Sequence, residues 1–231
     1  MTYPSEYFSQ NNEQNLIQQY FGGNTGTLFD IGAADGITFS NSRRFLLDGW
    51  KGFLVEPGKN SYTKLNNLYA TREDIKTFNF GIGNKNEFKE FYEASYFPFD
   101  VKQGVSTYSS VGDRENCGLN GTFKKEYHEF FSNNGVKYDN TYLTEIVTFN
   151  QFHALTNYSK CDLLLLDTSG SYDYEILEQI NFKQLGVQFF ITAWSWKDTP
   201  DPNEEHKYIK LAETNGFKLL EMNDDNLIFG K

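Results

Sequence analysis

The chain has 231 residues, of which 39% are hydrophobic, and its formal net charge at pH 7 is -10. A chain of this length can bury one sizeable core and is short for two, so we predict a single domain over residues 1–231. The acidic balance argues against nucleic acid and anionic membranes as main partners, because binding to phosphates requires clustered lysines and arginines.

The start of the chain, MTYPSEYFSQNNEQNLI, is polar and acidic, and it has neither the basic nor the apolar region of a secretion signal. No apolar run approaches the ~20 residues that cross a bilayer. The two cysteines, Cys117 and Cys161, form neither a disulfide framework nor a metal-binding pattern. We therefore expect a cytoplasmic protein that makes no membrane contact.

Short apolar runs alternate with amphipathic segments along most of the chain, which is typical of a parallel sheet covered by helices. The predicted strands are residues 27–31, 52–56, 75–80, 162–167 and 187–193, and a closing antiparallel hairpin comprises residues 218–222 and 226–229. The predicted helices are residues 14–21, 39–47, 61–69, 172–179 and 203–214. Gly49 follows the second helix, where a left-handed cap is expected to end it. The predicted fold class is α/β, a doubly wound, mostly parallel sheet with helices on both faces.

Residues 94–142 interrupt this alternation and are dense in Gly, Ser, Asn and aromatic residues, with one helix-like piece, FKKEYHEFF. A connection of this length within a compact domain is usually functional or disordered. Its many aromatic residues argue against disorder. We predict that it is an inserted lid that forms the wall of an acceptor site, with Tyr108 among its rings.

The first predicted strand contains Asp30 and leads into the loop GAADG at residues 32–36. In open α/β sheets, ligands bind outside the carboxyl ends of the strands, and glycine there allows a ligand to approach the backbone closely. The second strand ends at Glu56, and an acid at this point can accept hydrogen bonds from both hydroxyls of a ribose. The pattern predicts a ligand that contains a nucleoside.

Two nucleoside cofactors fit such an arrangement, and the charge of the loop separates them. A dinucleotide fingerprint has the form G-x-G-x-x-G, whereas this loop has only Gly32 and Gly36 and carries Asp30 and Asp35. Each close pair of a phosphate and a carboxylate would repel by roughly 1 to 4 kcal/mol. S-adenosylmethionine instead carries an ammonium and a sulfonium, so the acidic loop favours it.

Five stretches together resemble the FkbM-type methyltransferases, a branch of the Rossmann-like class that depends on S-adenosylmethionine. They are FDIGAADG, the pair Ser40-Asn41, GWKGFLVEP, GVSTYSS and LLLLDTSGSYDYEIL, and the resemblance runs from about Ser9 to the end of the chain. It implies that Asp30, Gly32, Asp35 and Gly36 line the methionyl end of the cofactor, that Ser40 lies beside it, that Glu56 holds the ribose, and that Asn79 lies near the adenine.

The resemblance also implies an acceptor, because members of the family commonly O-methylate sugars or polyketide-type hydroxyls. Two positions depart from the family pattern. Ser169 stands where an acid or Gln is usual, and the fifth strand ends at Ala193 where Glu is frequent. Both departures remove carboxylates from the expected acceptor site, so no metal is predicted there.

Several further residues are candidates for the chemistry. Asp167 ends the LLLLD run and is either the base that assists an acceptor hydroxyl or the N-cap of the next helix. His128 lies in the predicted lid and is either a second catalytic group or a surface residue. Trp194 and Trp196 are expected either to stack on an acceptor ring or to pack in the core.

The sequence thus predicts an S-adenosylmethionine-dependent O-methyltransferase that acts on a hydroxyl of a small molecule or glycan, most simply a sugar. Two alternatives from other classes stay open. One is a nicotinamide-dependent oxidoreductase, which the acidic loop disfavours. The other is a cofactor-binding module without activity, which Ser169 and Ala193 keep in consideration.

Overall fold

The structure is a computed structural model that describes residues 7–96, 121–133, 135–168, 172–194, 204–223 and 225–231. Its helices are α1 (Glu13–Phe21), α2 (Arg43–Leu47), α3 (Lys59–Tyr69), α4 (Lys125–Asn133), α5 (Phe149–Thr156), α6 (Asp173–Leu177), α7 (Phe182–Leu185) and α8 (Glu204–Thr214). Its strands are β1 (Thr27–Ile31), β2 (Lys51–Val55), β3 (Ile75–Phe78), β4 (Gly81–Gly83), β5 (Glu87–Tyr96), β6 (Gly121–Thr122), β7 (Lys137–Thr148), β8 (Leu163–Leu166), β9 (Phe189–Ala193), β10 (Lys218–Met222) and β11 (Asn226–Gly230). None of the helices in these ranges has the length and apolar character of a membrane span.

The main sheet has seven strands in the order β10-β11-β9-β8-β1-β2-β3. Its neighbours from β3 to β9 pair in parallel, and β11 runs antiparallel to both β9 and β10. The predicted mostly parallel sheet with a C-terminal antiparallel hairpin is confirmed. The carboxyl ends of β1, β2 and β8 consequently meet at one edge, and the predicted site residues follow them.

Helices cover both faces of this sheet, as predicted. The residues of β1 alternate between two cores, because successive side chains of a strand point to opposite faces. Phe29 and Ile31 lie in a core formed with residues of α5, α6, α7 and α8, whereas Leu28 lies in a core formed with residues of α1, α2 and α3. All positions of β1 are buried, which explains why apolar residues occupy both faces of this strand.

A second sheet, in the order β4-β7-β5-β6, was not predicted. Its main part is the antiparallel pair of β5 and β7, which extends from Glu87 opposite Ile146 to Tyr96 opposite Lys137, with register shifts on either side of Ala94. The described ends of the segment 94–142 therefore belong to long strands and to helix α4 rather than to irregular chain. Residues 97–120 of the predicted lid, including Tyr108, lie outside the described residues.

Helix α2 is shorter than predicted. It begins at Arg43 rather than at residue 39, because Phe39 has a positive φ of 54° that a helix does not accommodate. The Oγ atom of Ser40 accepts a hydrogen bond from the backbone N–H of Arg43 at 3.1 Å. The helix ends as predicted, with Gly49 at φ 93°.

Candidate active site

A cleft opens where the carboxyl edge of the main sheet meets the second sheet. It is lined by Ile31, Gly32, Val55, Glu56, Pro57, Gly81, Ile82, Phe91, Gly121, Thr122, Phe123, Asp167, Thr168 and Tyr172. Residues from the ends of β1, β2 and β8 form one side, and residues of β4, β5 and β6 contribute the rest. Ligands of open α/β sheets bind at this edge.

Gly32 directly follows β1 and packs against the backbone of Asp167 at the end of β8. Its φ is 93°, and a Cβ atom on it would come within 2.0 Å of the backbone oxygen of Asp167. The N–H groups of Gly32 and Ala33 both donate to the carbonyl of Val55, at 2.9 and 3.0 Å. The glycine loop is therefore clamped between the ends of β2 and β8, and only glycine fits there.

Asp30 is buried in β1 and accepts a hydrogen bond from the hydroxyl of Ser42 at 2.5 Å. Burial raises the pKa of Asp30 to about 7, the Ser42 bond acts in the opposite direction, and the negative charge of Asp167 adds to the increase. The hydroxyl of Ser42 lies 3.2 Å from that of Ser40. Ser40 was predicted from its sequence position, whereas Ser42, which was not predicted, is the residue that contacts Asp30.

Glu56 follows β2 and is buried at the cleft. Its Oε2 accepts from the N–H of Ala34 at 3.0 Å, and its Oε1 accepts from the N–H of Gly58 at 2.6 Å. Burial raises the pKa of Glu56 to about 8, the two backbone bonds oppose the increase, and the charges of Glu93 and Asp30 reinforce it. Two backbone N–H groups thus hold the two carboxyl oxygens of Glu56 in place.

Glu93 is a second buried carboxylate near Glu56, and the sequence analysis did not single it out. It lies in β5 and accepts from the backbone N–H of Asn60 at 2.8 Å and from the hydroxyl of Tyr142 at 3.0 Å. The Tyr142 hydroxyl also accepts from the N–H of Lys59 at 2.6 Å. These bonds satisfy donors in the first turn of α3 and attach the second sheet to the main one beside the cleft.

Aromatic rings form the wall of the cleft that the second sheet contributes. The rings of Phe91 and Phe123 meet edge to face at 4.8 Å between centroids, and that of Phe123 lies 6.4 Å from that of Tyr172. A Cβ atom on Gly81 would come within 2.8 Å of Phe123. Glycine at position 81 therefore allows Phe123 to lie against the strand.

Asp167 lies at the end of β8 with an exposed side chain in the cleft. The structure does not use it as the cap of the helix that follows, because the N-cap of α6 is Tyr172. Asp173 within α6 accepts from the N–H and the hydroxyl of Thr168 instead. Asp167 is therefore not the N-cap of α6, and its role as the base for an acceptor hydroxyl stays a prediction.

A family model described as the methyltransferase FkbM domain matches residues 30–219. The chain belongs to the FkbM methyltransferase family. No curated protein sequence matches the chain significantly. The matched range contains the glycine loop, the buried acids Asp30 and Glu56, and Asp167.

Solved structures with the same fold include the methyltransferase FkbM from Methylobacillus flagellatus KT. It has 12% identity and a TM-score of 0.51, and the match covers 90% of this chain and 44% of that one. The chain thus spans less than half the length of that FkbM protein. A precorrin-6y C5,15-methyltransferase from Geobacter metallireducens GS-15 has 8% identity, with coverage of 99% and 91% and a TM-score of 0.44. Aeropyrum pernix fibrillarin, in complex with natively bound S-adenosyl-L-methionine, has 11% identity, with coverage of 95% and 76% and a TM-score of 0.43.

Three of the residues that the FkbM resemblance assigned to the cofactor have structural partners of their own. Asp35 accepts from the N–H groups of Ile37 and Thr38 at 2.9 and 2.8 Å and so shapes the loop. Gly36 has φ 75°, and a Cβ atom on it would come within 2.6 Å of Leu65. Asn79 donates to the carbonyl of Glu56 at 2.9 Å. These residues hold the loop and the strand ends in place, and their contact with a cofactor stays a prediction.

His128 lies away from this cleft. In β5, Phe91 lines the cleft, so its neighbour Tyr92 points to the opposite face of the second sheet. The His128 ring stacks on Tyr92 with centroids 4.3 Å apart and meets Tyr138 edge to face at 4.7 Å. The structure therefore does not bring the predicted catalytic His128 to Asp167, because α4 packs on the outer face of the β5–β7 pair.

The predicted acceptor-stacking residues are described only in part. The indole N–H of Trp194 donates to the backbone carbonyl of Asn223 at 3.1 Å, and its ring packs against the main core. This agrees with the packing alternative, in which Trp194 fastens the C-terminal hairpin. Trp196, Tyr108 and Ser169 lie outside the described residues.

Proposed function

We propose that the chain is an S-adenosylmethionine-dependent O-methyltransferase that acts on a hydroxyl group, with a sugar or glycan as acceptor. The observation that carries the proposal is the convergence of Asp30, Glu56 and Asp167 at the ends of three neighbouring strands. Their charges act on one another, since Asp167 raises the pKa of Asp30 and Asp30 raises that of Glu56. Such a site favours a ligand with positive charge and hydroxyl donors.

The residues present fit S-adenosylmethionine better than a dinucleotide. A bound ammonium or sulfonium would favour the charged form of these buried acids, whereas the phosphates of a nicotinamide cofactor would oppose it. Asp30 would hold the methionyl end, and Glu56 would accept from the ribose hydroxyls, because a carboxylate oxygen has more than one acceptor direction. When bound, this cofactor supplies an activated methyl group and its own leaving group.

The protein's part in the reaction is to position the acceptor oxygen and to accommodate its proton. Asp167 projects into the cleft beside Asp30, so its carboxylate can accept the hydrogen bond of an acceptor hydroxyl and withdraw its proton. Correct placement of two reactants contributes a large part of the rate in such a transfer. The rings of Phe91, Phe123 and Tyr172 line the same cleft. They suit the apolar C–H faces of a sugar, which supports a saccharide acceptor.

The cofactor is tested by calorimetric titration of the purified chain with S-adenosylhomocysteine and with NAD in parallel. We expect binding of S-adenosylhomocysteine and none of NAD at the same concentrations. The reverse result would replace the methyltransferase proposal with the oxidoreductase alternative. Binding of S-adenosylhomocysteine without transfer of a labelled methyl group to any hydroxyl in a sugar panel would favour the inactive binding module.

A further inference from the structure

Two lysines from the second sheet and its β6–α4 connection converge on Tyr172, which lines the cleft together with Asp167. The Nζ atom of Lys89 donates to the Tyr172 hydroxyl at 3.0 Å and lies 5.1 Å from the ring centroid. The Nζ atom of Lys124 lies 5.9 Å from the same centroid. Both ammonium groups therefore lie beside Tyr172, a residue that lines the cleft.

Glu87 is an acid that Lys89 contacts on its own strand, β5. Glu87 lies 3.3 Å from the Nζ of Lys89 and is shared with Lys85, whose Nζ lies 2.9 Å away. Two ammonium groups thus share the Glu87 carboxylate, and the ammonium group of Lys124 lies beside the Tyr172 ring. The hydrogen bond to Tyr172 and the interaction with Glu87 raise the pKa of Lys89, so its side chain is charged at neutral pH.

This positive group contrasts with the rest of the molecule. The chain as a whole has a net charge of -10, and the two carboxyl groups that line the cleft belong to Glu56 and Asp167. The cleft itself therefore presents acids, whereas the two ammonium groups lie beside its lining residue Tyr172. A neutral sugar would use the carboxylates and aromatic rings and would have no use for paired ammonium groups.

We propose that the acceptor carries an anionic group, a carboxylate or a phosphate monoester, which Lys89 and Lys124 bind beside the ring of Tyr172. The inference rests on the proposed function, because it names the class of acceptor for the same cleft. Hydrogen bonds from an ammonium to an anionic oxygen are short and about twice as strong as neutral ones. Lysine serves as a compact point charge in phosphate sites. Tyr172 holds the Lys89 side chain in position through their hydrogen bond, so this side chain loses less conformational entropy when an anion binds.

The test is calorimetric titration of the full chain, saturated with S-adenosylhomocysteine, with three matched sugars. Glucose is the neutral probe, and glucose 6-phosphate and glucuronate are the anionic ones. We expect at least one anionic sugar to bind at least tenfold more tightly than glucose. Lys89→Ala and Lys124→Ala should each weaken the binding of that sugar at least tenfold and leave the binding of glucose unchanged.

The chain provides a matched control for each lysine. Lys85 shares Glu87 with Lys89, but its side chain is 68% exposed. Lys125 follows Lys124 and is 74% exposed, paired with Glu129 on α4. Lys85→Ala and Lys125→Ala should leave the binding of the anionic sugar within twofold of wild type. Equal weakening by these controls would reduce the effect to overall charge and overturn the proposal.

The remaining outcomes also decide the inference. Equal affinity for glucose and the anionic sugars, or no measurable binding of either anionic sugar, overturns it. A failure of the proposed function is seen separately, as an absence of S-adenosylhomocysteine binding. In that case the same titrations without S-adenosylhomocysteine decide whether the lysines form an anion site.

Discussion

The backbone oxygen of Asp167 lies where it would be only 2.0 Å from a Cβ atom on Gly32, so the residues that directly follow β1 and β8 are in close backbone contact at the cleft. Gly32→Ala must separate the two strand ends as well as strain the backbone at φ 93°. We expect a loss of several kcal/mol of the free energy of unfolding, beyond the ~1–3 kcal/mol of backbone strain alone. Urea denaturation of the variant and the wild type measures this loss.

Gly49 supplies the control for this prediction. It has the same φ of 93°, and a Cβ atom on it would meet nothing within 4 Å. Gly49→Ala should therefore show only the cost of the backbone conformation. If both variants lose the same free energy of unfolding, the close contact between Gly32 and Asp167 adds nothing to the cost of Gly32→Ala. The interpretation that only glycine fits at position 32 would then be wrong.

Removal of the Glu56 carboxylate should weaken cofactor binding. Glu56→Ala deletes the acceptor for the ribose hydroxyls, so we expect S-adenosylhomocysteine to bind more weakly by about 1 to 3 kcal/mol. The same change leaves the N–H groups of Ala34 and Gly58 without the carboxylate, so circular dichroism must first show a folded variant. Unchanged affinity in the folded variant would remove Glu56 from the cofactor site.

The raised pKa of Asp30 predicts a dependence of stability on pH. The pKa rises from 3.8 to about 7 on folding, so the folded state keeps a proton that the unfolded state has released between these values. The free energy of unfolding should therefore fall as pH rises through this range, with the full contribution present below about pH 4. Asp30→Asn keeps an acceptor for Ser42 but does not titrate.

Urea denaturation at pH 5 and pH 8 provides the measurement. The decrease in the free energy of unfolding between these two pH values should be smaller in Asp30→Asn than in the wild type. Groups that do not interact with Asp30 affect both proteins alike. Glu56, whose pKa the charge of Asp30 raises, changes the comparison in the same direction. An identical decrease in both would show that Asp30 ionises at its ordinary pKa despite its burial.

The parallel half of the fold could be predicted because its strands are buried on both faces. Every position of β1 and β8 is buried, so each is a mainly apolar run between polar segments. Asp30, inside β1, and Glu56, which follows β2, could be placed near this edge of the sheet for the same reason. A strand end fixes the edge of the sheet at which a side chain emerges.

The second sheet could not be predicted because its inner face is not apolar. Lys89, Phe91 and Glu93 alternate along β5 towards the cleft, and the two charged residues have partners there in Tyr172 and Asn60. A pattern rule that seeks apolar residues on the inner face does not recognise such a strand. The Glu93–Asn60 bond also joins residues 33 positions apart, which no local motif reveals.

The last prediction concerns the chemistry and the role of Asp167. Its side chain is exposed at the cleft. It does not cap helix α6, whose N-cap is Tyr172. If its carboxylate accepts the proton of the acceptor hydroxyl, Asp167→Asn should lower kcat for methyl transfer roughly 100-fold or more. The affinity for S-adenosylhomocysteine should change little, because Asp30 and Glu56 remain. Parallel measurement of kcat and of cofactor affinity separates the possibilities: a matching loss of affinity would assign Asp167 to the cofactor, and an unchanged kcat would leave positioning of the acceptor as the whole mechanism.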